Sequence, residues 1–190
     1  MERIGMKDIF EASVEVKRVM EDFVNVRTVW DFECFDKDGN LKWAEYDRPN
    51  IVTNEGLNAM LNIMFHGAGQ IDPWYVIPIE SDTAAADTMT YAVPVFTECE
   101  AYTEATRQAF NEAAASGQSI TNSANKATFT INATKTLYGG ALVGGGTDDD
   151  TKGDAAGGGT LFAYSKFTSS KPVESGDTFK ITCTVTAAHA

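Results

Sequence analysis

Histidine is nearly absent from this chain, which has only His66 and His189. A Ser/His/Asp or Cys/His catalytic system would rest on His66 alone, because His189 is the penultimate residue. His66 also ends an amphipathic run, where the helix dipole and carbonyl capping already account for a histidine. Cysteine is sparse too: Cys34, Cys99 and Cys183 show no CxxC spacing, and each sits in a strand-like run. Such a scattered, odd set predicts reduced, buried thiols in a protein folded in a cytoplasm. Positive charge is scarce, with 15 Lys and Arg against 27 Asp and Glu and a formal net charge of −12. Without a cluster of bases to meet phosphates, nucleic-acid binding is excluded. Most of the negative excess lies in residues 51–126, which hold nine acids and two bases. Long apolar runs are missing as well. None approaches the ~18 residues a membrane span needs, and Met1 to Asp8 interleaves charge with apolar residues, unlike a signal peptide.

What the chain does have is alternation. In Thr128-Phe129-Thr130-Ile131 and again from Phe179 to Val185, bulky apolar residues alternate with Thr and Lys, the period-2 signature of half-buried strands. Strands are expected over 127–133, 135–143, 160–167 and 178–186, separated by turn formers such as Ser175-Gly176-Asp177 and by the long Gly139 to Gly159 segment. Thr28 to Phe35 and Leu41 to Tyr46 read as a hairpin turned by Asp38-Gly39. Trp74 to Ile79 is a strand whose Pro78 belongs at an edge or bulge, and Tyr91 to Phe96 begins another extended run. Leu57, Met60, Leu61, Met64 and Phe65 form the apolar face of a helix over about 54–65, with Thr53 as N-cap and Gly67 as its stop. That face is expected to dock on a sheet. The Ala-rich stretch 103–116 favours helix by propensity. With 190 residues and 43% apolar content there is enough material for one domain plus an appendage. Residues 1–27 read as an N-terminal arm, in which Ile9, Val16, Met20 and Phe23 suit a helix face, whereas Val14-Glu15-Val16 and Val24-Asn25-Val26-Arg27 alternate like a strand. Residues 28–190 read as the β domain.

The residues that could carry chemistry each have a plainer explanation. Asp36-Lys37-Asp38-Gly39-Asn40 matches the first half of an EF-hand loop, but its sixth position is Leu41, its twelfth is Asp47, and strands flank it, so a hairpin turn is expected. Asp148-Asp149-Asp150 with Asp154 could bind a cation, although adjacent carboxylates in a Gly/Thr loop more often form a solvated tip. Gly144-Gly145-Gly146 and Gly157-Gly158-Gly159 lack the Lys-Ser/Thr and the strand–loop–helix setting of a phosphate loop. Glu80, Asp82, Asp87, Glu98, Glu100 and Glu104 are abundant acids, yet no two stand out as a glycosidase pair. Trp30, Trp43 and Trp74 could stack on sugars but sit in strand patterns that suit core or interface anchors. No catalytic, cofactor-binding or metal-ligating residue is expected.

The order of several motifs resembles a set of small virion structural proteins of tailed bacteriophages. These are Asp38-Gly39-Asn40-Leu41-Lys42-Trp43, Asn50-Ile51-Val52-Thr53-Asn54-Glu55-Gly56-Leu57-Asn58 and Trp74-Tyr75-Val76. They are followed by Tyr102 to Arg107, Ile120-Thr121-Asn122, Phe129 to Thr134, Gly140-Ala141-Leu142, Leu161-Phe162-Ala163 and Val173 to Asp177. The resemblance covers about residues 28–186. It implies an antiparallel, jelly-roll-like β-sandwich with one packed helix, and some strand within 103–114. It also implies a non-enzymatic virion protein, assembled in the bacterial host cytoplasm, that decorates or cements the capsid surface. The expected partners are the major capsid protein and further copies of the chain, as dimers or trimers, with no cofactor, nucleic acid or membrane. Ile9, Val16, Met20 and Phe23 would carry the intermolecular contacts. A tail or fibre component that binds a receptor or glycan, using Trp74, Tyr75 and the acidic loops, is the alternative.

Overall fold

The hairpin forms where Asp-Gly predicts it. The Asp36 carbonyl accepts the Gly39 amide at 3.0 Å, and its carboxylate accepts the Asp38 and Asn40 amides at 2.9 and 2.8 Å. Gly39 takes φ +85°, a conformation glycine adopts without steric cost. In this computed structural model, which describes residues 24–153 and 156–189, the turn joins β1 (Val24–Phe35) to β2 (Leu41–Val52). Residues 24–27, assigned to the arm by sequence, pair with Thr186–His189 at the start of β1. The remainder of the arm, with Ile9, Val16, Met20 and Phe23, lies outside the described residues.

Helix α1 (Asn54–Phe65) follows β2 directly. The Thr53 hydroxyl accepts the Gly56 amide at 2.9 Å and donates to the Leu161 carbonyl, and Gly67 at φ +73° terminates the helix just beyond His66. Then come β3 (Trp74–Ile79), β4 (Gln108–Ala109), β5 (Ser119–Thr121), β6 (Ala127–Thr130), β7 (Lys135–Gly144), β8 (Thr160–Val173) and β9 (Thr178–His189). All pairings are antiparallel and run β4-β3-β7-β8-β2-β1-β9-β5, with β6 also on β9. The sheet curls at β2. Its first part pairs with β1, while Asn50–Val52 pair with Ala163–Ser165 of β8, so one strand belongs to both layers of a β-sandwich.

Between the layers, inward residues of β1 (Trp30, Phe32, Cys34) meet Phe129, Phe167, Phe179 and Ile181. Trp30, Phe32, Phe179 and Phe129 form a run of rings with successive centroids 6.0, 6.2 and 6.1 Å apart. Each fully buried ring contributes on the order of 1.5–3 kcal/mol. Gly140 of β7 faces this layer. A Cβ there would sit 3.0 Å from the Phe32 ring and 3.4 Å from Ile181, so the missing side chain makes room for the opposing sheet.

β3 and β7 are buried on both faces. Their outer residues Ile77, Ile79, Ala141 and Val143 form a second cluster with Met89, Tyr91, Leu161 and Tyr164, roofed by the loop after β3. The extended run expected at Tyr91–Phe96 is part of this irregular roof. Pro78 is tolerated because β4 pairs only with Tyr75 and Val76; beyond them the Pro78 carbonyl accepts the Cys99 amide at 2.8 Å.

Two expectations are corrected. Residues 103–116 form no helix. Arg107 and Phe110 are drawn into the interior and Gln108–Ala109 pair with β3, so burial overrides the alanine propensity. The apolar face of α1 docks on the sheet only in part: its first turn packs on β8 and Leu57, Met60 and Ile63 are half-buried, but its C-terminal end is left uncovered. Of the helix residues only Gly56 is buried, while Leu61, Met64 and Phe65 are 49%, 65% and 78% exposed.

Candidate functional site

The structure disperses most of the residues that sequence marks as candidates for chemistry, and brings Glu98 and Glu100 to one cavity. Asp36 is spent on the hairpin turn, and hydrogen bonds from Asn40 hold its carboxyl below the usual range. Asp149 Oδ2 accepts the Gly145 and Gly146 amides at 2.6 and 3.2 Å, closing the acidic loop on itself. Among the described residues no three of His, Cys, Asp or Glu converge to hold a metal ion; Asp154 lies outside them. His66 caps α1, with its amide donating to Asn62 O at 3.0 Å. The three cysteines are reduced and buried, and desolvation pushes Cys34 up to about 12 and Cys99 up to about 11. Reactive thiols require the opposite shift. Trp30 is core. Trp74 and Tyr75 alternate along β3, so one packs toward the inter-layer core and the other toward the second cluster, and they share no stacking surface.

Two features of the surface are built rather than incidental. The first is a cavity of about 200 Å3 beside the roof, lined by Tyr91, Phe96, Glu98, Glu100, Arg107 and Gly153 among others. Arg107 Nε lies 3.1 Å from both Glu98 oxygens and Nη2 lies 2.6 Å from Oε2, with both side chains almost wholly buried. Arg107 Nη1 donates to Tyr91 Oη and Asp149 O, each at 2.8 Å, and the Arg107 amide reaches Asp150 O at 2.8 Å. Gly153 N adds a bond to Glu98 Oε2 at 3.0 Å. Burial raises the Glu98 carboxyl, with Arg107 acting in the opposite sense. Both carboxylate oxygens already accept donors, so the pair acts as a clasp that ties the Gly/Asp loop to the roof. Lys152 reinforces it, donating to Tyr102 O at 2.8 Å with its ammonium 3.7 Å from the Tyr102 ring centroid. Sequence reasoning named Glu98 only as one acid among six. The available signal was Arg107, the sole base between Arg48 and Lys126.

The second feature is the unpartnered face of α1. It borders a groove of about 360 Å3 lined by Met60, Ile63, Met64, Ile71, Trp74 and Phe110 among others. Gly56 lets the first turn of the helix lie against Phe162 of β8, and Glu55 Oε2 accepts the Tyr91 and Leu161 amides at 2.8 and 2.7 Å. The N-terminal end of the helix is therefore pinned while its C-terminal end projects apolar side chains into solvent.

A family model described as Podophage GP4 fiber I protein gp80 matches residues 52–187. No curated protein matches the chain.

Proposed function

Because the chain belongs to the podophage GP4 fiber I protein gp80 family, and is thus a phage structural protein, we propose that it forms part of a tail fibre rather than a capsid decoration. The observation that carries this reading is the extent of the match, which includes α1 and runs from β3 into β9. It therefore takes in the second cluster, the Glu98–Arg107 clasp and the inter-layer core apart from its β1 residues and Trp43. The geometry is in keeping with a mechanical part. The layers share β2, the core is sealed by stacked aromatics, and the most elaborate polar cluster spends its hydrogen bonds on holding loops together. Direct contact with a host receptor or glycan is the finer role that this reading allows. Gold-labelled antibodies against this chain on intact particles test the placement: label along tail appendages is expected, and label over the head shell would return the protein to the decoration role.

A further inference from the structure

We infer that the exposed face of α1 and the adjoining groove are the surface through which one copy of this chain binds another. From Gly56 to Ile71 the sequence contains no Asp, Glu, Lys or Arg, although the whole chain carries a net charge of −12. Within that window Leu61, Met64 and Phe65 stand out into solvent. Beside them lies the groove, whose lining is apolar except for Gln70 and Glu112.

Projecting apolar side chains and a receptive apolar groove thus occupy the same patch. That is the requirement of a self-complementary contact, in which a residue of one copy enters the hollow of the other and the reverse also holds. Charge favours the same occupant. Two copies each at −12 repel over most of their surfaces, so they can meet at close range only where charge is missing. A cationic partner would instead be recognised by an acidic rim, and this patch shows only Glu112. Asn58 and Asn62, on exposed positions of the helix, supply uncharged hydrogen-bonding groups beside the apolar residues, as interface rims do. This inference does not depend on whether the assembly is a fibre or a shell component.

The test uses the full chain with the photo-crosslinking residue benzoylphenylalanine in place of Phe65, as a mixture of unlabelled and 15N-labelled protein. Mixed-isotope cross-links from position 65 to Met60, Ile71 or Phe110 of another copy are expected. Sedimentation should show an assembly larger than a monomer. Phe65→Glu combined with Met64→Lys should weaken that assembly by more than about tenfold. Thermal melting compared at concentrations low enough to keep both proteins monomeric should barely change, because both side chains are exposed in the single copy. A wild-type chain that stays monomeric at the highest concentration reached would overturn the inference. So would an assembly that persists in the double variant. Cross-links confined to one chain, or running to residues 1–23, would assign the groove to the N-terminal segment instead.

Discussion

Arg107 shows how much one side chain can organise. A guanidinium buried without partners would be prohibitive, and here it holds Glu98, Tyr91 and the Asp149 carbonyl together in a single fork. Arg107→Met leaves the Glu98 carboxylate buried and uncompensated, so unfolding in denaturant should show a loss of about 3–5 kcal/mol. Adding Glu98→Leu to that variant should recover much of the loss, since the cost belongs to the stranded charge rather than to the pair. A single variant that loses less than about 1 kcal/mol would mean that the carboxylate finds water. Sequence could not show this pairing. Glu98 and Arg107 lie nine residues apart in a segment without periodicity, and only the roof over β3 and β7 brings them together.

Among the elements, α1 separates what local pattern fixes from what it leaves open. Its boundaries, its Thr53 cap and its Gly67 stop were all legible, because each depends on residues within one or two turns. The destination of its apolar face was not, since the same 3.6-residue spacing serves docking on the chain's own sheet or on something else. The strands divide in the same way: β6 and the first half of β9 follow their alternation, β7 and the start of β8 are buried on both faces, and two-residue β4 is made by burial of its neighbours, Arg107 and Phe110. Gly56 sets local preference against packing within one residue. Alanine there gains up to about 1 kcal/mol of helix propensity. Its Cβ, however, would lie 2.7 Å from both the Cα and the carbonyl oxygen of Phe162, backbone atoms that cannot turn aside. Gly56→Ala should therefore destabilise the protein by about 1–3 kcal/mol in denaturant titration. A gain in stability would mean that α1 lifts freely off β8.

Across the whole molecule, the buried acids of high pKa act together. Burial pushes Cys34 up from 9.0 to about 12, Cys99 from 9.0 to about 11 and Tyr164 from 10.0 to about 12, and raises Cys183 and Tyr102 as well. Between the unfolded and folded values the native state holds more protons than the unfolded one, so stability falls as pH rises. The loss should begin near pH 9, and each group should add a slope of up to about 1.4 kcal/mol per pH unit. Thermal melting followed from pH 8 to 11 should show a steepening decline. A flat profile across that range would mean the thiols already reach solvent. The same burial that makes the thiols chemically silent thus makes the fold sensitive to alkali. The outermost rung of the β1–β9 ladder, Val24 opposite His189, sets the molecule's mechanics. The chain enters and leaves the sandwich at one pole, with the Asp36–Asn40 turn at the far end of β1. Tension applied between these two points would peel that ladder rung by rung, whereas a push on the far pole would load all twelve of its residue pairs in parallel.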